Sequence, residues 1–154
     1  MLHQILSAYS SITKCDYAES IIRLHLCRPY IHQILEGKSI SELPQLFNSL
    51  LDFVPTYLGP LQNIISGRTS GLPPISGYDF ISRSVFPELV AALQKHLPGL
   101  FIPGSSCSEF RKRYELTLDF LTQLEQQCSS QASVQRLRNT QRKQFYIKSN
   151  KYLI

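Results

Sequence analysis

From Leu2 onward the large apolar residues of this chain recur three or four positions apart, and no run of five or more alternates apolar with polar. A half-buried strand needs a period of two and a one-faced helix a period near 3.6, so the pattern predicts an all-α fold. Leu2, Ile5, Leu6, Tyr9 and Ile12 form the first stripe, on a helix that begins with the chain. Asp16, with Glu19 three residues on, reads as the cap of a second helix carrying Tyr17, Ile21, Ile22 and Leu26. Pro29 restarts the chain on a third helix (Tyr30, Ile31, Ile34, Leu35) ending at Gly37, and these two helices are expected to form a hairpin-like pair. Ser41 with Pro44 opens the next helix, whose apolar side is Leu46, Phe47, Leu50, Leu51, Val54 and Leu58. Pro55 should kink or end it, and Pro60 should open a short turn of helix with Leu61, Ile64 and Ile65.

The stretch 67–74 (Gly-Arg-Thr-Ser-Gly-Leu-Pro-Pro) is the clearest loop, and 67–75 is a candidate sub-boundary between helical layers. Beyond it Tyr78, Phe80, Ile81, Val85, Phe86, Leu89, Val90 and Leu93 are apolar on more than one side, which predicts the most buried helix, broken near Ser84 because Pro87 removes a backbone hydrogen bond. Ser106 or Ser108 caps a long amphipathic helix with Phe110, Tyr114, Leu118, Leu121, Leu124 and Cys128 on its apolar side. Residues 130–138 predict one more short helix with Val134 and Leu137, and Thr140–Ile154 shows no periodicity. The expected architecture is an antiparallel bundle of about six to eight helices over 1–138, followed by a basic, disordered tail at 139–154.

Charge argues against reading the whole chain as a nucleic-acid binder. The net +5 arises because residues 1–125 hold 10 basic and 11 acidic side chains, whereas 126–154 hold 6 basic ones and no acid. Phe145, Tyr146 and Tyr152 among those bases leave one alternative, a small module whose tail binds nucleic acid or an anionic membrane surface. Gln135, Asn139, Gln141, Gln144 and Asn150 dilute any such face, so a solvated end is the simpler reading and no nucleic-acid partner is expected. Cys15, Cys27, Cys107 and Cys128 contain no CxxC pair and suggest reduced thiols. Neither a basic signal-peptide start nor an apolar run of roughly 20 residues is present, which predicts a cytosolic chain without a transmembrane segment.

His25, Cys27 and His32 come nearest to a metal set, but His25 and Cys27 lie two apart on a helix and face different ways. Serines, cysteines and histidines lack a nucleophile elbow, and no glycine loop could cradle phosphate, so no catalytic, cofactor-binding or metal-binding residue is assigned and no small-molecule substrate is expected. Asp16 with Glu19, and Glu115 with Asp119, read as a cap and a solvated helix face. Arg111-Lys112-Arg113, flanked by Glu109 and Glu115, is another solvated face. Tyr30, Phe53, Tyr78, Phe80 and Phe101 read as packing residues, and no binding residue is assigned.

Six segments taken in order carry a resemblance: Cys27-Arg28-Pro29-Tyr30-Ile31, Leu50-Leu51-Asp52-Phe53-Val54-Pro55, Gly77-Tyr78-Asp79-Phe80, Ser84-Val85-Phe86-Pro87, Leu97-Pro98-Gly99-Leu100-Phe101 and the run from Gln127 to Arg138. Over about residues 1–138 the chain resembles the subunit 2 family of the conserved oligomeric Golgi complex. The resemblance implies a non-catalytic piece of a multisubunit tethering factor, built of stacked helical bundles in a longer rod, peripheral on the cytoplasmic face of the Golgi and acting in intra-Golgi retrograde vesicle transport. Implied partners are the other subunits of that complex, with vesicle fusion proteins and coiled-coil tethers beyond them, and membrane contact that is peripheral and indirect. Family proteins are much longer and have a bulky aromatic run where this chain has its polar tail, so a fragment or truncated, nonfunctional product is the remaining alternative. A first helix with an apolar stripe needs a surface to cover it. The isolated chain is therefore expected to be marginally stable or to self-associate; its melting temperature should depend on protein concentration, and a sharp, concentration-independent melt of a monodisperse monomer would contradict this.

Overall fold

Six helices make up the computed structural model, which describes residues 1–68, 71–101, 106–128 and 131–143. They are α1 (Leu2–Ser11), α2 (15–35), α3 (43–65, entered through a 3-10 turn at Ile40–Glu42), α4 (81–96), α5 (Cys107–Gln126) and α6 (Gln131–Gln141). No strand occurs among the described residues, and the all-α bundle expected from the periodicity is the observed fold. α2 and α3 are joined by a short connection and pack side by side, which makes them antiparallel. α4 lies against α2 and α6, while α5 covers α3. As its two-sided apolar pattern predicts, α4 is at the centre: Ile81, Val85, Phe86, Leu89 and Leu93 are all buried. One continuous apolar cluster takes side chains from both sides of the 67–75 loop.

Prolines do not break these helices, contrary to expectation. A prolyl ring in a helix collides with the carbonyl four residues back and offers no N–H. Here the backbone widens into a π-turn at Arg23–Cys27, Val54–Leu58 and Ile81–Val85, each ending two residues before Pro29, Pro60 or Pro87. The Arg28 N–H donates to the Arg23 carbonyl and the Phe86 N–H to the Ile81 carbonyl, five residues back, and the chain stays helical on both sides. Pro55 lies inside the second π-turn and does not end its helix. Thus the segments around Tyr17–Leu26 and Tyr30–Leu35 form one rod rather than a hairpin, and nothing breaks at Ser84.

Helix starts differ from the sequence reading in two places and agree in a third. α2 begins at Cys15 with no side-chain cap, so Asp16 lies within its first turn and Glu19 is free for other work. The start assigned to Ser41 is set by Ser39, which forms a capping box with Glu42. Ser106 does cap α5, accepting from the Glu109 N–H. The buried side of α5 is Phe110, Thr117, Phe120, Leu121 and Leu124, so Phe120 belongs to the core, and Tyr114 and Leu118 are only half-buried. The rotation follows from α3, where Phe47 stacks on Phe120 at 4.3 Å between ring centroids. α6 runs to Gln141, past the expected start of the tail, and most of the tail lies outside the described residues. Truncating Phe120 to alanine should cost about 3–5 kcal/mol in urea unfolding, and Leu118→Ala about 1 kcal/mol or less; equal losses would place the core stripe of α5 elsewhere.

Candidate functional site

The π-turns have a consequence for the polar side chains. Across an ordinary helix Glu19, Arg23, Arg28 and His32 would not line up, because the step from 23 to 28 is five residues; the π-turn absorbs the extra residue and keeps all four on the side facing α4. On α4 the step from Arg83 to Glu88 is likewise five and likewise crosses a π-turn. Three rungs result. Arg83 Nη1 donates to Glu19 Oε1 at 3.1 Å, Arg23 Nε and Arg28 Nη2 donate to Glu88 Oε1 at 2.8 and 2.9 Å, and His32 Nδ1 lies 2.9 Å from His96 Nε2. Rungs pair in ascending order, so α2 and α4 run in the same direction.

At the foot of this ladder stands Asp79. Two residues ahead of α4, its Oδ1 accepts from the Ser82 N–H at 3.2 Å, while Oδ2 takes the guanidinium of Arg136 from α6 and its own N–H donates to Glu19 at 3.1 Å. Ser84 Oγ–H donates to the Glu19 carbonyl at 2.8 Å, and Ser82 Oγ–H to the Ser133 carbonyl at 3.4 Å. Tyr78, one residue before, donates its hydroxyl to the Leu6 carbonyl of α1 at 2.8 Å. Gly77 is needed just ahead: its φ is +96°, and a Cβ there would stand 2.9 Å from the Cys15 sulfur. The Gly77-Tyr78-Asp79 run thereby fastens α1, α2 and α6 to one end of α4. Tyr78 and Phe80 are packing residues, as expected.

The buried carboxylates titrate in opposite senses. Burial raises Glu88, yet the hydrogen bonds and charges of Arg28 and Arg23 outweigh it and hold the carboxyl below the usual range. For Glu19 burial prevails over Arg83 and the Asp79 N–H, with repulsion from the Asp79 carboxylate added, and the value is raised. His32 is pushed down, first by burial and then by His96 and Lys95, against the pull of Glu88. These are the signatures of structural ion pairs. The Cys27 thiol is pushed up to about 12, by burial first and then by the Glu88 charge, and His25 is exposed. The metal set considered from the sequence is therefore dispersed, and the described residues contain no group of three that could hold an ion. Cys15, Cys27, Cys107 and Cys128 are free thiols.

A groove of about 580 Å³ runs between α2 and α3 from Lys38 and Glu42 at the turn to Tyr30, Phe53 and Tyr57 at the far end. Tyr30 and Tyr57 rings lie 4.4 Å apart and both stay partly exposed over the buried Phe53, so Tyr30 is half a surface residue rather than a core one. Asp52 on the groove wall is exposed. Arg111 pairs with Glu115 one turn on, as a solvated face would.

Comparison with known proteins supplies what this geometry lacks. Conserved oligomeric Golgi complex subunit 2 of Homo sapiens is 35% identical over 144 residues, 90% of this chain and 19% of that protein. The chain is similar to a segment of this Golgi complex subunit. Subunit 2 of Arabidopsis thaliana is 34% identical over 146 residues, and that of Drosophila melanogaster 26% over 139, again 19% of each. The chain thus spans about a fifth of the length of the subunit 2 proteins it matches, and the similarity expected from the six quoted segments is found. No protein-family model matches the chain, and no solved structure is similar to it.

The third rung gives a pH prediction. Two imidazoles share the His32–His96 hydrogen bond only if one ring nitrogen is bare. Because the native His32 value lies below 6.5, the unfolded chain binds more protons as pH falls through that point, and stability drops. Between about pH 7.5 and about pH 5.5 the urea midpoint should fall more in the wild type than in His32→Gln, a comparison that cancels the opposite gain from protonating the raised Glu19; the Glu88 contribution is lost only below 4.5, outside this window.

Proposed function

We propose that this chain acts as a non-catalytic structural and interaction segment of a Golgi tethering complex, supporting intra-Golgi retrograde vesicle transport and Golgi organisation. The observation that carries the reading is similarity along nine-tenths of the chain to proteins named as one and the same Golgi complex subunit in two organisms. The structure fits that role: its buried carboxylates Glu19, Asp79 and Glu88 pair with arginines to hold helices together, and its surface offers an aromatic groove with a polar rim, the make-up of a contact with another protein. Other subunits of the complex are the proposed partners, with vesicle fusion proteins and coiled-coil tethers as further ones. Membrane association is proposed to be peripheral and indirect, on the cytoplasmic face of the Golgi; no helix among the described residues is long and apolar enough to cross a membrane. Nothing in the comparisons or in the described residues supports the alternative of a tail that binds nucleic acid or an anionic surface.

Affinity purification of the tagged chain from cells, with mass spectrometry, tests the reading. A tail deletion in parallel must begin after Lys143, because Leu137 and Gln141 are buried and α6 would be damaged by an earlier cut. Other subunits of the complex should co-purify with both forms, and recovery should fall several-fold with Tyr30→Ser/Tyr57→Ser. Absence of every complex subunit would reject the assembly role. Recovery lost on tail deletion would move the contact to the C-terminus.

A further inference from the structure

α1 turns only part of its apolar stripe inward: Leu6 is buried and Tyr9 packs against the core. Beside them polar groups reach the rest of the protein: His3 Nε2 lies 2.9 Å from the Pro73 carbonyl, Ser10 Oγ–H donates to the Ser76 carbonyl at 2.8 Å, and the Leu6 carbonyl accepts from Tyr78. Leu2, Ile5 and Ile12 stand outside, 42%, 45% and 62% exposed, although the sequence stripe reads as a core face. On α2 the row continues with Tyr17, Ile21 and Leu24, 57%, 40% and 43% exposed, and the Tyr9–Tyr17 ring contact at 5.7 Å joins the two stripes. These six side chains expose on the order of 600 Å², the upper end for the largest apolar patch of a monomer. No Asp, Glu, Lys or Arg lies in α1. At the corner between the helices Lys14 and Asp16 are both exposed, and neither takes part in an ion pair among the described residues.

We propose that this face is the interface of a two-fold dimer of the chain. A two-fold contact places the same patch on both sides, so it must complement itself. An apolar face with an uncharged helix does so without repulsion, and a corner carrying one base and one acid two residues apart forms reciprocal Lys14–Asp16 pairs when two copies meet about an axis at the turn. The exposed apolar area also approaches the roughly 800 Å² that each partner buries in a standard interface. The first helix is held for this contact by Leu6 and Tyr9 against the core and by its bonds to 73–78. This proposal stands apart from the Golgi reading, which the co-purification experiment tests separately.

Sedimentation equilibrium on the 154-residue chain, with circular dichroism as the control for folding, decides the matter. The wild-type chain should dimerise. Ile5→Glu/Ile21→Glu, at sites exposed in the monomer, should keep its helix content and raise Kd by about a hundredfold. Lys14→Glu should weaken the dimer by about tenfold, and Lys14→Glu/Asp16→Lys should restore it. A wild-type chain that remains monomeric at about 100 μM, well above the micromolar range of specific dimers, overturns the proposal, as does a dimer indifferent to the isoleucine changes. Failure of the charge reversal to rescue Lys14→Glu overturns the two-fold arrangement.

Discussion

Two facing rows of charge hold α2 against α4, and they exist because each helix takes one residue too many into a turn. Without the π-turns at Arg23–Cys27 and Ile81–Val85, Glu88 could not meet both Arg23 and Arg28 while Glu19 met Arg83. The prolines that follow each turn make a widened backbone the least strained path through the helix. A constraint imposed by one ring on its own backbone therefore sets the register of the central pair. Register in turn decides what the remaining helices find to pack on.

Buried ion pairs are a poor source of net stability, since desolvation consumes much of the attraction. Their value in this molecule is directional. An apolar stripe on α4 would accept α2 at several offsets or in the opposite sense, whereas the ordered rungs Glu19–Arg83, Arg23/Arg28–Glu88 and His32–His96 fit only one. Asp79 adds the third dimension, tying the N-terminus of α4 to α6 through Arg136 and to α2 through Glu19. Among the described residues Glu19, Asp79 and Glu88 are turned inward, and two outward features carry apolar side chains, the Tyr30–Tyr57 groove and the α1–α2 face. Such a surface suits a protein that holds other proteins, in keeping with its similarity to a Golgi complex subunit.

Helix existence was legible residue by residue: the stripes of α1, α3 and α4, the Ser106 cap, and the centrality of the Phe80–Leu93 segment follow from spacing alone. The proline positions were legible as well, but their outcome was not, because a proline can stop a helix or be absorbed by a π-turn, and packing on both sides decides which. Glu19 illustrates the harder case. Three residues after Asp16 it fits a capping box, and local sequence contains nothing to say that Arg83 and the Asp79 N–H lie waiting 60 residues away. The same is true of Phe120, which leaves the expected stripe of α5 because Phe47 meets it from another helix.

By itself the sequence determined that this protein is helical, where its loops fall, that its body is close to neutral, and that six segments resemble those of a Golgi complex subunit. Each of these depends on neighbours along the chain or on motif order, and both are written in one dimension. Tertiary structure alone decided that α2 and α4 run parallel, that Glu19, Asp79 and Glu88 are buried partners of arginines, and that Leu2, Ile5 and Ile12 of the first stripe face outward while Leu6 faces the core. Those outcomes turn on which surfaces meet, and a hydrophobic stripe states only that it is apolar, never what will cover it.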